Sequence, residues 1–398
     1  MDNKTITIKK IVEVCGGKLI SGNENMEPSG YTQDTRAVQE NYMYIGIKGE
    51  NTDGNDYIEK AFENGAMGCI IDKLPNEEVF EKHKGKNIIH VNDSIEAIQK
   101  LAKYKRSLYD MPVVGITGSV GKTSTKDMIA SVLSKKYNVL KTQGNYNNHI
   151  GLPLTLLNLK QDHNAAVLEM GMNHAGEISV LTDMGRPTIC VYTTIGTAHI
   201  GNLGSRENIL KAKLEMLEGI IGQKEVIINY DNDLLSDWKD KQTEYSVTTF
   251  GMESNSDYVA YNIEPHTGGS KFNVDIDNVT YDVSVNIAGK GFVYNGLSAI
   301  AVGRSLGIEM QDILDGVANF DLTPNRMHIE EVQSNVAVIN DCYNASNDST
   351  AAALEVLKNL AAMRRIAVLR RYARTSESSL RIYIEKLEKM LCETRLIY

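Results

Sequence analysis

Apolar and polar positions alternate in blocks along this chain, and the blocks read as strands and helices taking turns. Thr5-Ile6-Thr7-Ile8, Tyr42-Met43-Tyr44-Ile45-Gly46-Ile47 and Gly68-Cys69-Ile70-Ile71 have the β-branched and aromatic character of short strands. Residues 57–64 have helical spacing and stop at Gly65, and 94–109 continue as a helix to Met111-Pro112, where proline disfavours more helix. A first unit, 1–110, is expected to end there.

A second unit, 111–322, opens with the buried-strand run Val113-Val114-Gly115-Ile116-Thr117. A glycine loop and a helical pattern over 123–135 follow. More apolar runs come at Ala165-Ala166-Val167-Leu168, Ile189-Cys190-Val191-Tyr192 and Val226-Ile227-Ile228. Such alternation predicts an α/β fold with a parallel sheet covered on both faces. Residues 253–288 change to hairpin-like alternation, strongest over 271–287, read as an antiparallel addition to the same domain. A third unit, 323–398, begins at Thr323-Pro324, with Val336-Ala337-Val338-Ile339 and Ile366-Ala367-Val368-Leu369 as its strands.

Composition narrows the function classes. At 398 residues the chain exceeds one ordinary core, and its 42% apolar and 23% charged content fits a soluble protein. A net charge of −9 disfavours nucleic acid as the main partner. Five scattered cysteines (Cys15, Cys69, Cys190, Cys342, Cys392) lack metal-ligand spacing. No apolar run approaches the roughly 20 residues that span a bilayer, and the N-terminus lacks a signal-like core. A cytoplasmic monomer without membrane insertion is expected.

Strand, glycine loop, Lys-Thr and helix together are a recipe for holding a polyphosphate. In Gly118-Ser119-Val120-Gly121-Lys122-Thr123-Ser124 the glycines let backbone N–H groups turn to an anion at a helix N-terminus. Lys122 reaches outer phosphates and the Thr123 hydroxyl suits Mg²⁺. The strict spacing is relaxed, since Ile116 stands where a glycine is usual. Glu169 ends a strand and is either a metal ligand at the sheet edge or a carboxylate paired with a lysine. His199, also after a strand, is by itself more often structural.

These motifs resemble those of the Mur ligases. Thr117 to Ser124 is similar to their ATP loop, and Thr142-Gln143-Gly144-Asn145-Tyr146-Asn147-Asn148-His149 to their Asn-rich stretch. Leu168-Glu169-Met170-Gly171-Met172-Asn173 and Asn340-Asp341-Cys342-Tyr343-Asn344-Ala345 are similar to the MurF branch. The resemblance runs from about residue 5 to residue 369. It implies three domains: a UDP-binding N-terminal unit, a central ATPase and a C-terminal Rossmann-like unit. It also implies ATP and Mg²⁺ as cofactors and UDP-N-acetylmuramoyl-tripeptide and D-alanyl-D-alanine as substrates, joined through an acyl phosphate.

Carried over by position, Lys122 matches the phosphate lysine, and Thr123, Glu169 and His199 match Mg²⁺ ligands. Lys213 matches a lysine carbamylated in much of the family; otherwise Lys211 and Lys213 are solvated helix charges. Thr35, Arg36 and Lys48 resemble the UDP-sugar site, or else are surface residues near turns. Asn145 and Asn148 are placed at the same substrate or serve as turn makers. Asn295 and Arg326 fall on the ATP side, and Asp341 and Asn344 on the substrate side.

Three departures stand out. Gly291 replaces a usual histidine, and Asn347 a usual proline. After Leu369 the family continues Gly-Asp-Met-Leu-Glu-Leu, whereas this chain reads Arg370-Arg371-Tyr372-Ala373-Arg374-Thr375. Codons such as AGG AGA TAT GCT CGA ACT, shifted one base, spell the family's sequence. Residues 370–398 are therefore expected to be a frameshifted tail that leaves the third domain incomplete and ligation impaired. The alternatives are a catalytically silent nucleotide and UDP-sugar binder, another Mur ligase, or a folylpolyglutamate-type ligase, which Asp34-Thr35-Arg36 disfavours.

Overall fold

Short apolar runs pair first with their parallel neighbours, and two sheets result. The computed structural model of the chain describes residues 4–369, apart from 223, 254, 267–268, 325, 334–335, 344–346 and 360–363. Among the described residues one unit takes those up to Pro112 with 142–164 and 180–186; the other takes 113–141, 165–179 and those from Pro187 on.

In the first unit the strands are β1 Lys18–Ser21, β2 Gly30–Thr32, β3 Tyr42–Ile45, β4 Gly68–Ile71 and β5 Asn87–His90, ordered β1-β5-β4-β3-β2. Only β1 runs antiparallel to its neighbour. Tyr44, Ile58, Phe62, Cys69, Ile71 and Ile88 form its buried cluster, and burying each large side chain stabilises by roughly 1.5–3 kcal/mol. Helix Ile58–Glu63 stops before Gly65, whose φ of +103° suits glycine.

One expected strand is absent. Thr5-Ile6-Thr7-Ile8 runs into the helix Ile8–Cys15, and Thr7 Oγ1 accepts the Lys10 N–H at 3.3 Å. Threonine's value as an N-cap outweighs its β-propensity here, because an uncapped helix would leave its first donors unpaired.

The second unit carries β6 Val113–Thr117, β7 Val139–Lys141, β8 Ala165–Glu169, β9 Ile189–Tyr192, β10 Glu225–Asn229, β11 Ser246–Gly251, β12 Tyr258–His266, β13 Gly269–Ile276 and β14 Val279–Val285. They form one sheet, β14-β13-β12-β11-β10-β9-β6-β8-β7, parallel from β7 to β12 and antiparallel beyond. The hairpin expected at 271–287 is thus the antiparallel end of the parallel sheet. Helix Lys122–Leu133 buries Met128, Ile129, Val132 and Leu133 in one core with Leu297 and Ile300 of helix Lys290–Ser305.

Two further strands, β15 His328–Gln333 and β16 Val336–Asn340, pair antiparallel as a separate ribbon. Val332, Val336 and Val338 on it are exposed. The strand expected at 366–369 is reduced to a single bridge residue, Ile366, and Ile366, Val368 and Leu369 are also exposed. A lone apolar run without a covered face gains little from extended pairing.

Candidate active site

The site is set by strand order. β6 lies between β8 and β9, so the chain leaves β6 to one side for β7 and β8 and crosses to the other for β9. Such a switch point opens a crevice at the carboxyl ends of parallel strands. Registers Ile116↔Glu169 and Thr117↔Tyr192 bring three strand ends to that edge.

The loop between β6 and helix Lys122–Leu133 is shaped by two glycines. Gly121 has φ +89° and precedes a helix start that no side chain caps. The first helical N–H groups therefore face the crevice edge, where the helix dipole also favours an anion. At Gly118 a Cβ would lie 1.9 Å from Thr193 Oγ1. The loop is fastened from β9's far end: Ser119 N–H donates to Thr194 O (2.8 Å), Thr193 Oγ1 to Val120 O (2.6 Å), and Gly196 N–H to Ser119 Oγ (2.9 Å). Thr193, which periodicity did not single out, thus holds the loop.

Two lysines converge on one carbonyl. Lys122 Nζ donates to Gly118 O at 2.8 Å and Lys213 Nζ to the same oxygen at 2.9 Å. Lys213 is 1% exposed whereas Lys211 is exposed, so Lys213 is no solvated helix charge. Burial, reinforced by the Lys122 charge, holds Lys213 well below the ordinary lysine range. Burial also lowers Lys122; the Glu169 carboxylate opposes that shift and Arg326 adds to it.

Thr123 and Glu169 are 8% and 2% exposed, a hydroxyl and a carboxylate at the same edge. These are hard oxygen donors of the kind Mg²⁺ takes. Among the described residues no group of three His, Cys, Asp or Glu gathers around a metal-sized space. His199 is half-buried in left-handed backbone (φ +67°) at the start of helix Ile200–Leu203.

Other expected residues fall as follows. Ser124 lies in the first turn of the loop helix, and Asn295 is buried with its Oδ1 accepting from Thr125 Oγ1 at 2.9 Å. The Arg326 guanidinium lies 4.4 Å over the Tyr343 ring. Asp341 Oδ1 accepts the Met327 N–H (3.1 Å), and burial raises its carboxyl above the usual range against the pull of that bond and Arg326. Burial raises the Tyr343 hydroxyl above its ordinary range, with Arg326 opposing and Glu169 adding to that shift. Asn344 and the 370–398 tail lie outside the described residues. Gly291 is exposed, with open space where a Cβ would stand.

In the first unit, Arg36 is 88% exposed and its fork is taken by Asp34, with Nε to Oδ1 at 3.0 Å and Nη2 to Oδ2 at 2.7 Å. Thr35 O accepts from Asn64 Nδ2 (2.8 Å), and Lys48 is exposed in a bridge with Asp53. Asn145 is exposed, while Asn148 Oδ1 accepts the N–H groups of Ile150 (3.1 Å) and Gly151 (2.8 Å) as a turn maker would.

Comparison with known proteins agrees with this picture. The Mur ligase family catalytic domain matches residues 28–106 and the Mur ligase middle domain residues 116–303. The UDP-N-acetylmuramoyl-tripeptide--D-alanyl-D-alanine ligase of Bacillus subtilis (strain 168) is 38% identical over 357 residues, 89% of this chain and 76% of that protein. The Escherichia coli (strain K12) ligase of that name is 30% identical over 92% of this chain and 79% of its own. Among solved structures, MurF from Acinetobacter baumannii superposes with a TM-score of 0.81 at 27% identity, covering 91% and 78% of the two chains. MurF from Thermotoga maritima in complex with ADP gives 0.77 at 26%, covering 91% and 82%. With identity of this extent and a phosphate loop at the switch point of a matching fold, the chain belongs to the Mur ligase family, as a ligase of the MurF type.

Proposed function

We propose that this chain uses ATP to join D-alanyl-D-alanine to UDP-N-acetylmuramoyl-tripeptide in peptidoglycan precursor synthesis. The observation that carries the reading is the convergence of Lys122 and Lys213 on the Gly118 carbonyl beside the helix N-terminus and Glu169. Phosphoryl transfer asks for such positioning and charge neutralisation more than for a protein nucleophile. A tripeptide carboxylate oxygen attacks the γ-phosphorus and the bond to ADP breaks. The amine of D-alanyl-D-alanine then attacks the acyl carbon, phosphate departs with its oxygen, and the amine gives up a proton.

Each residue has a part. Lys122 and the loop N–H groups take the phosphate charge, and Arg326 approaches from the segment between Thr323 and β15. Thr123 and Glu169 would hold Mg²⁺, with His199 and a carbamylated Lys213 as further ligands; the ion supplies positive charge to the phosphate oxygens. Asn295 supports the ATP side. Thr35, Arg36, Lys48, Asn145 and Asn148 take the UDP-sugar substrate, and Asp341 and Asn344 the peptide side. The division into 1–110, 111–322 and 323–398 assigns these tasks to three domains. We place the reaction in the cytoplasm, with a monomer as the working form. Among the described residues no helix is long and apolar enough to cross a membrane.

A second reading is binding with little turnover. The exposed Val332, Val336 and Val338 favour it, because a complete sheet would bury such side chains. So does the departure of 370–398 from the family sequence. A phosphate-release assay with chromatography for the pentapeptide product, run with and without EDTA, tests the first reading. Product that depends on both substrates and on Mg²⁺ supports it; ADP binding without product supports the second. The nucleotide sequence around codon 370 decides the frameshift.

A further inference from the structure

The helix that starts at the phosphate loop carries a second polar centre one turn further on. Lys126 and Asp127 are 1% and 2% exposed in its middle. The Asp127 Oδ1 oxygen meets Lys126 Nζ at 3.3 Å and Lys141 Nζ, from the last residue of β7, at 2.9 Å. Its other oxygen accepts twice from Thr323, from the N–H at 3.0 Å and from the hydroxyl at 2.7 Å. All of these groups belong to the second unit.

Burying a carboxylate and a lysine inside a helix is costly, and apolar residues of similar size would serve stability at least as well. What the charges add is a fixed register for the partners they hold. Thr323 is the partner that matters for function. It stands 196 positions from Asp127, at the exit from the sheet unit and three residues before Arg326. Asp127 lies four residues after Thr123, on the same helix face. One rigid helix therefore carries both the phosphate-loop hydroxyl and the clamp on the segment leading to Arg326. The Arg326 guanidinium rests on Tyr343, and its charge reaches Lys122.

We propose that Asp127 is a positioning residue: it clamps Thr323 to the phosphate-loop helix so that Arg326 is delivered to the phosphate end of the ATP site. This deepens the ligase reading above and rests on it. Misplacing a charge by an ångström at such a site lowers the rate without weakening ground-state binding.

The cleanest variant is Thr323→Val, because it removes one donor of the clamp and leaves Lys126, Asp127 and Lys141 in place. It is expected to lower kcat about tenfold, with KM for ATP within about twofold and the melting temperature nearly unchanged. Thr323→Ser, which restores the hydroxyl, is expected to restore kcat. Unchanged kcat in Thr323→Val, a matching fall in melting temperature, or no recovery in Thr323→Ser would overturn the clamp. A second arm does not need turnover: amide hydrogen exchange at Thr323 in the full chain. Protection of that amide in the wild type and its loss in Asp127→Ala, which has no side-chain acceptor, with the 113–117 strand still protected, supports the clamp; equal exchange in both refutes it. If the wild type forms no amide product, the ligase reading fails by itself, and the exchange arm still decides the clamp.

Discussion

Lys122 and Lys213 share one acceptor, the carbonyl oxygen of Gly118, at 2.8 and 2.9 Å. Two ammonium groups on one carbonyl repel each other, and Lys213 is the one without solvent. The arrangement favours a neutral Lys213 amine, the form that adds carbon dioxide. On that reading, ¹³C-bicarbonate should give a carbamate resonance in the wild type that Lys213→Met lacks. Turnover in Lys213→Met should fall about 100-fold, in line with losing one preorganised charge at a phosphoryl-transfer site. Equal spectra for the two proteins would remove the carbamate.

Gly118 should tolerate no side chain. A methyl there would meet Thr193 Oγ1 at 1.9 Å, and that hydroxyl is already bonded to Val120 O. Either Thr193 or the loop must move, and the loop N–H groups then leave their anion-binding arrangement. Gly118→Ala is expected to weaken ADP binding by at least tenfold in a calorimetric titration. The nearest atoms to that methyl belong to Thr193 and Thr194, outside β6 and the loop helix, so the far-UV circular dichroism should be unchanged.

How much of this was legible before the fold was known depends on the range of the interaction. The phosphate loop was readable because every part of it, strand, glycines, Lys122 and helix, is local. Thr5 to Ile8 misled because β-branched alternation and an N-cap threonine look alike until the following helix is seen. Lys213 was ambiguous, since Lys211-Ala212-Lys213 reads equally as a solvated face; only packing put one lysine inside and left the other out. The long-range contacts of Thr193 and Thr323 were invisible. Their partners, Val120 and Asp127, lie 73 and 196 positions away, and no periodicity records a contact of that kind.

The Asp34–Arg36 pair gives a pH prediction of definite sign. The Asp34 carboxyl is held below its ordinary value, chiefly by the Arg36 side-chain hydrogen bonds. A carboxyl whose folded value is depressed contributes stability above its unfolded value of 3.8, and that contribution disappears as pH falls through the lower folded value. The pair therefore does not titrate between pH 5 and 9, roughly the working range. Arg36 also spends its fork on Asp34 rather than on solvent. Asp34→Asn should lower the melting temperature slightly at neutral pH, as expected of an exposed pair, and by progressively less as pH falls below 3.8. A larger loss at pH 2 than at pH 7 would contradict the sign.

The buried Lys126–Asp127 pair makes the last prediction, and here the energetics are large. Lys126 is 1% exposed, and the carboxylate at 3.3 Å is the compensation for its charge. Asp127→Asn leaves that ammonium in the core with an amide, at an expected cost of about 3 kcal/mol. Lys126→Met removes the stranded charge as well. Added to Asp127→Asn it should recover part of the loss, because an apolar chain of similar length fits the same space. Urea unfolding of the two single variants and the double variant measures this coupling directly. If the double variant is less stable than Asp127→Asn alone, Lys126 is stabilised by something other than the pair, and the electrostatic account of this centre is wrong.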